Sequence, residues 1–417
     1  MKNVFVTLLL PSMALGLSLG LNAQEDDFSV DAPSGVATLV HGDGLEIRFE
    51  ADEFVFGIGG MAQPGFQWGR QDLDSTGTLG TYIRRSYLDL HATDEKRNLD
   101  FLIRADFSQE LPLLDAFVQW RPSKHWTLRM GQFQQIANNR EMVFFEGDLN
   151  FPTRSLLSQL FAERGREFGL AVMGAWGEPD GWTVRPAVSV TTGDGANSFG
   201  SLSNDPDLGG MKWSGRLDVL PFGDFDASSA VDFVREPTLK LALGLATSVN
   251  IGASGAVGES HGDWLIYDEA GRHQLPNYLK NHVDLLMKWR GATVLAEYVN
   301  AAAYGLDGAF TNPSLGTLLL PTQISTYLVL GNAFNVQAGY VLNNGLALDA
   351  RLSRTYPEFA ADNSASLLQV ADALGGCLTW YRNAQALKIQ LAADYFNYPD
   401  VPMLNGWQAS VQTQFRF

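Results

Sequence analysis

The chain is poor in the residues that staple or catalyse. Its single cysteine, Cys377, excludes an internal disulfide framework. The six histidines, His41, His91, His125, His261, His273 and His282, are scattered without metal spacing. Neither a G-x-S-x-G elbow nor an H-E-x-x-H helix occurs. Charged residues make up only 18% of the chain, below the usual quarter or so, and they sum to −17. That acidic balance excludes nucleic acid as a partner, since binding its phosphates needs a basic surface. Past residue 21 no stretch of about twenty apolar residues occurs, so no helical membrane span is expected. No linker or composition break divides the 417 residues, and one large domain is expected.

The N-terminus reads as a targeting segment. Lys2 supplies a positive charge, Val4 to Leu21 an apolar run, and Leu21-Asn22-Ala23 a small-residue cleavage site. Residues 1–23 are therefore expected to be a secretory signal peptide. Residues 24–44 are read as a periplasmic segment and 45–417 as the body of the protein.

What the chain has in plenty is alternation. In the last segment Trp407, Ala409, Val411, Thr413, Phe415 and Phe417 fall on one face, and Gln408, Ser410, Gln412, Gln414 and Arg416 on the other. Leu387, Ile389, Leu391 and Tyr395 oppose Lys388, Gln390 and Asp394 in the same way. So do Val283, Leu285, Met287 and Trp289 against Asp284 and Lys288, and Phe101, Ile103 and Phe107 against Asp100, Arg104 and Asp106.

About sixteen such segments of roughly ten residues run from residue 54 to 417, with Trp and Tyr near their ends, as in a transmembrane β-barrel. Inside lipid every backbone polar group must be paired, and a closed sheet does this without leaving an edge. A soluble β-sandwich would also alternate, but its connections are not sorted by length. Here every second one is tight (Glu95-Lys96, Arg290-Gly291, Asn343-Asn344-Gly345) and most of the others are long. Two break the rule: the connection near 109–111 is short and that near 220–236 is long. The expected fold is all-β, an antiparallel barrel of about sixteen strands, wide enough for an aqueous lumen.

One interruption stands out. Between Gln135 and Arg164 alternation stops for about thirty residues, long for a connection without structure of its own. This third long connection and its exit carry Arg140, Arg154, Arg164 and Arg166 among Glu141, Glu146, Asp148, Glu163 and Glu167.

From Arg84-Arg85-Ser86-Tyr87 through "DFLIRADFSQ", "LLDAFVQW", "LRMGQF" and "RGREFGLAVMG", the chain resembles the phosphate- and polyphosphate-selective porins (the porin O/P family). The "GQF" strand end, Glu141, Phe151-Pro152-Thr153-Arg154-Ser155 and a later Arg-Gly pair carry the likeness. It covers roughly residues 45–180 and thins to pattern afterwards. The resemblance implies a sixteen-stranded homotrimeric porin of the Gram-negative outer membrane, in contact with lipid and lipopolysaccharide. Its third loop folds into the lumen as a constriction.

The resemblance makes Arg140, Arg154, Arg164 and Arg166 the expected constriction and anion-binding residues. Guanidinium groups grip phosphate oxygens bidentately, and cationic rings select anions in pores. The sequence departs from a dedicated phosphate pore in the five acids interleaved with these arginines. The lumen charges are mixed too: Arg104, Arg129, Lys288, Arg351, Lys388 and Arg416 stand among Asp100, Asp106, Asp284, Asp349 and Asp394. Salt bridges that pin the loop to the wall, such as Arg154 or Arg164 with Glu163 or Glu141, are an equal reading of the same arginines. Arg84 and Arg85 suit either the outer mouth, against lipopolysaccharide phosphates, or the solute path.

The expected function is a passive diffusion channel for small hydrophilic solutes, biased toward anions such as phosphate. No catalytic residue, cofactor or metal is expected; Asp194, Asp205 and Asp207 are weighed only as a loop calcium site. The alternatives are a barrel that binds or adheres through loops 251–278 and 304–322, and a barrel hydrolase whose nearest approach to a catalytic pair is His282 beside Asp284.

Overall fold

The computed structural model describes residues 35–40, 44–49, 53–74, 76–178, 180–198, 209–261, 264–359 and 365–417. The expected signal peptide and the acids Asp205 and Asp207 lie outside the described residues.

A short hairpin, β1 (Gly35–Val40) and β2 (Gly44–Phe49), precedes a succession of long strands. These are β3 (Phe54–Gln71), β4 (Thr78–Asp94), β5 (Leu99–Asp106), β6 (Leu113–Ser123), β7 (Trp126–Gln134) and β8 (Arg166–Gly174). After the two-residue β9 (Trp176–Gly177) come β10 (Thr183–Thr191), β11 (Lys212–Leu220), β12 (Lys240–Asn250), β13 (Asn277–Trp289) and β14 (Ala292–Tyr304). A small loop ladder, β15 (Phe310–Asn312) with β16 (Thr317–Leu318), stands apart. The succession ends with β17 (Gly331–Val341), β18 (Leu346–Pro357), β19 (Ala371–Asn383), β20 (Leu387–Asn397) and β21 (Gly406–Arg416).

Each long strand pairs antiparallel with its neighbour in sequence, and β21 closes on β3 from Gly406 opposite Gln71 to Arg416 opposite Met61. Of the nineteen strands in this sheet, β1, β2 and β9 are additions, and the other sixteen form the closed wall. Each lies where the alternation predicted one. The terminal Phe417 extends the ladder by exchanging hydrogen bonds with Gly60, 2.9 and 3.0 Å. Below that point β2 takes over as the partner of β3, from Leu45 opposite Ile58 to Phe49 opposite Phe54. The hairpin therefore spans the expected boundary at residue 44.

The wall is inside-out relative to a soluble core. Apolar side chains on the outer face are exposed, as at Leu348 (64%) and Met130 (57%), while inward Gln414, Gln390 and Lys388 are no more than 1% exposed. Trp126, Trp289 and Trp380 ring the outer face at the short-turn end, and Trp68, Trp213 and Tyr395 at the other. Such aromatic belts mark the two interfaces of a bilayer. At the long-loop end, Trp264, Ile266 and Leu328 to Leu330 fold over the mouth and pack with Leu157 and Phe161 of the third loop.

Candidate functional site: a constriction loop inside the barrel

The third loop leaves β7 at Gln135, forms α1 (Arg140–Val143), a 3-10 turn at Glu146–Asp148 and α2 (Leu156–Phe161), and returns as β8. It lies inside the barrel, because its partners are inward side chains around most of the wall. Its apolar residues drive the insertion. Phe144 and Leu149 pack on Ala242, Leu286 and Leu295, Phe151 on Cys377 and Ala392, and Leu156 on Ala371 and Ala373. Those alanines replace the polar residues expected at lumen-facing positions and leave room for the loop.

Polar contacts fix its register. Lys388 Nζ donates to the carbonyls of Gly147 and Leu149 at 2.8 and 2.9 Å. Arg351 donates to the Thr153 carbonyl at 2.7 Å while paired with Asp394 at 2.8 Å. Asn150 donates to Asp349 at 2.7 Å. The Glu141 carboxylate accepts from the Ser155 amide (2.8 Å), the Ser158 hydroxyl (2.5 Å) and Gln337 of β17 (2.6 Å), capping α2 and tying it to the wall. Glu297 of β14 accepts from the Glu141 amide at 2.7 Å and from Asn139 at 3.0 Å.

The four loop arginines fare differently. Arg140 is buried at the wall, with Nε 2.6 Å from Asp284 and Nη2 2.5 Å from Asp218. It lies away from the other three. Arg154 meets Glu146 at 3.1 Å and the Glu141 carbonyl. Arg166, at the head of β8, holds Glu146 at 2.5 Å and Asp115 at 3.3 Å. Burial alone would raise the Glu146 carboxyl, but the guanidinium groups of Arg166 and Arg154 outweigh it and hold the group well below the usual carboxylate range. Arg164 is half-buried and, among the described residues, donates only to the Leu111 carbonyl (2.9 Å) and Gln109 (3.3 Å).

Arg154, Arg164 and Arg166 line one cavity of about 560 Å³ at the long-loop end, together with Arg84 and Arg85. Asp106, Glu146 and Glu163 are its acids. Consecutive residues of a regular strand point to opposite faces, yet both arginines face this cavity. The register of β3 on β4 shifts between Ala62 and Pro64, so that Gln63 stands opposite the Arg84-Arg85 pair. This bulge turns both side chains inward. Arg85 donates to Gln63 at 2.8 Å, and Arg84 to Gln67 at 3.2 Å while stacking on Tyr82. Among the described residues Arg84, Arg85 and Arg164 have no carboxylate partner.

Phe145 of the loop, half-buried, packs edge-on against Tyr87 with centroids 5.9 Å apart, beside Met61 and Leu114. Beneath it Arg104 lies 4.5 Å from the Phe145 ring centroid and pairs with Asp89 at 2.7 Å. A Cβ at Gly147 would meet the Phe145 ring at 2.5 Å and the Met61 sulfur at 2.8 Å, so any other residue here would displace Phe145 or Met61.

Of the remaining lumen charges, Arg129 stacks on Phe117 and donates to Gln119. Arg416 lies 3.8 Å from Asp148, and Lys288 reaches backbone carbonyls of the connection after β11. A second mouth cavity of about 720 Å³, on the β3, β20 and β21 side, is lined by Gln67, Gln71, Gln408, Phe396 and Tyr398. His282 and Asp284 do not form a catalytic pair: Asp284 is taken up by Arg140 and Arg216.

A closed sixteen-stranded wall, apolar outside and polar inside, with a structured loop in its lumen, is the fold of the outer-membrane porins. No protein-family model matches the chain, and no curated protein matches it. Solved structures do. The anion-selective porin from Comamonas acidovorans superposes with a TM-score of 0.55 at 9% identity, covering 88% of this chain and 100% of its own. The outer-membrane channel DcaP of Acinetobacter baumannii gives 0.53 at 10% identity, covering 89% and 99%. Salmonella typhi OmpF, in complex with daunomycin, gives 0.51 at 12% identity, covering 89% and 100%.

Proposed function

We propose that the chain is an outer-membrane porin, a passive diffusion channel for small hydrophilic solutes with a preference for anions. The observation that carries this reading is the arginine cavity above the constriction loop, in a barrel whose outer face is built for lipid. Solutes need no chemistry here. The guanidinium groups of this cavity that have no carboxylate partner among the described residues, Arg84, Arg85 and Arg164, raise the local anion concentration at the mouth. The inserted loop then sets the size limit. An anion preference also suits the likeness in fold to an anion-selective porin.

The finer reading, membership of the phosphate- and polyphosphate-selective porins, rests on the segments between residues 45 and 180. It brings with it a homotrimer, contact with lipopolysaccharide, and export directed by residues 1–23. The acids Glu146, Asp115 and Asp106 beside the arginines favour small anions in general over phosphate alone.

Planar-bilayer recording tests the proposal. Stepwise conductance with a reversal potential on the anion side in a salt gradient is expected. Arg85→Ala and Arg164→Ala should each move that potential toward cations. A correctly folded barrel that gives no conductance would end the channel reading.

A further inference from the structure

The connection between β11 and β12, residues 221–239, lies at the short-turn end, where every other connection of the wall is brief. We infer that this segment is a second plug, entering the lumen from the end opposite the constriction loop. It closes the half of the channel beneath β11 to β19 and confines solutes to the rest of the wall, from β20 through β3 to β10. The inference rests on the channel reading and adds to it the route and the residues that determine selectivity below the loop.

The segment is anchored by inward side chains along seven consecutive wall strands. Phe225 and Ala230 pack with Leu220, Ala242, Leu286 and Leu295, and in the same cluster with Phe144 and Leu149 of the constriction loop. Val231 packs with Val341, Ala347 and Tyr381, at the far side of that arc. Lys288 donates to the carbonyls of Asp226 and Val231 at 2.8 and 2.9 Å. Asp232 accepts from the Gly291 amide at 2.7 Å, and Arg235 donates to the Val341 carbonyl at 2.5 Å.

Only about 10 Å³ remains between Val231, Asp232, Asn150 and the wall, room for about a single water. A mobile turn lying outside the barrel would make none of these contacts.

The two halves of the lumen differ accordingly. Under the plug the inward Lys288 is 3% exposed and Tyr381 4%. Across the lumen the side chains of Asp89 and Asp100 are 18% and 23% exposed, and Arg104 is 15% exposed. Water therefore reaches the Arg104, Asp89 and Arg129 wall and, at the edge of the opposite half, Asp218 (19%), but not Lys288 or Tyr381 beneath the segment. A solute passing Phe145 descends between Arg104, Asp89 and Arg129 on one side and Arg416, 31% exposed and 5.0 Å from the Phe145 ring centroid, on the other, and these become the lower selectivity determinants. Lys288, although a lumen charge by alternation, is screened from the path.

The test replaces residues 223–237 by Asn-Gly in the full chain, with barrel assembly checked by heat-modifiable migration. Conductance should rise, by up to about twofold, because the segment covers seven of the sixteen wall strands while the constriction loop still stands in series. Val231→Asp, which unseats the plug without shortening the chain, should move conductance in the same direction. Unchanged conductance in both assembled variants overturns the inference.

Failure of the channel reading is distinguishable. If the parent barrel conducts nothing, Ala230→Cys in a Cys377→Ser chain still reads the plug. A water-soluble maleimide should fail to label it in the folded barrel and label it once Val231→Asp is added. Rapid labelling without that change overturns the inference.

Discussion

Replacing Glu146 by glutamine tests whether the loop arginines pin or select. The carboxylate is buried, bonded by Arg166 at 2.5 Å and Arg154 at 3.1 Å. Glu146→Gln keeps the shape and removes the charge. Breaking one partner of a buried ion pair costs about 3–5 kcal/mol, because the remaining charge stays buried uncompensated. The sixteen-stranded wall does not depend on this contact, so the cost falls on docking of the 145–154 segment. The anchors at Lys388, Arg351 and Glu141 remain and keep the loop in the lumen.

At about 1.4 kcal/mol per decade, a loss of 3 kcal/mol raises the population of locally undocked loop roughly a hundredfold. Two effects follow in a planar bilayer. Gating noise increases as the segment around Phe145 leaves its seat. The reversal potential shifts further toward anions, since Arg154 loses its acid and Arg166 keeps only Asp115. An assembled Glu146→Gln channel with unaltered noise and reversal potential would refute the reasoning, because the charges of this cluster then neither hold the loop nor face the solute.

Other outcomes are expected from the same geometry. Arg140→Ala leaves Arg216 to hold Asp218 and Asp284 and takes away a wall anchor of the loop, costing about 3 kcal/mol of loop docking; it should increase noise more than it changes ion selectivity. Phe145→Ala removes the loop ring that packs on Tyr87 and on Arg104, and should raise conductance and the size limit for uncharged solutes in a liposome-swelling assay. Leu352→Arg, on the lipid face at the middle of β18, should cost about 2–4 kcal/mol of barrel stability in urea-induced unfolding. For pH, the depressed Glu146 carboxyl contributes stability above its ordinary value of about 4.3 and loses it only as pH falls through its lowered folded value. The difference in loop noise between the parent and Glu146→Gln should therefore be the same at pH 7 and pH 5, and a change in that difference would contradict the ion-pair geometry.

The wall was legible in the sequence because one physical constraint acts at every residue. Lipid outside and water inside impose a period of two, and a closed sheet allows neither a gap nor an edge, so local reading was enough for strands, turns and parity. The contents of the lumen obey no such local rule. Ala242, Ala371, Ala373 and Ala392 look like unremarkable members of an alternating strand, but small apolar residues at inward positions are where an inserted segment packs. The long connection near 220–236 was visible as a breach of the short-turn rule, and the breach itself was the signal of a segment with somewhere to go. Arg84 and Arg85 show the limit most sharply. Adjacent residues in a regular strand cannot share a face, so alternation sends one arginine to the lumen and one to lipid, where an arginine is costly. That conflict demands a bulge. Pro64 in the neighbouring strand, with no N–H to give to a ladder, marks where the register can slip, and the slip delivers both charges to the mouth of the channel.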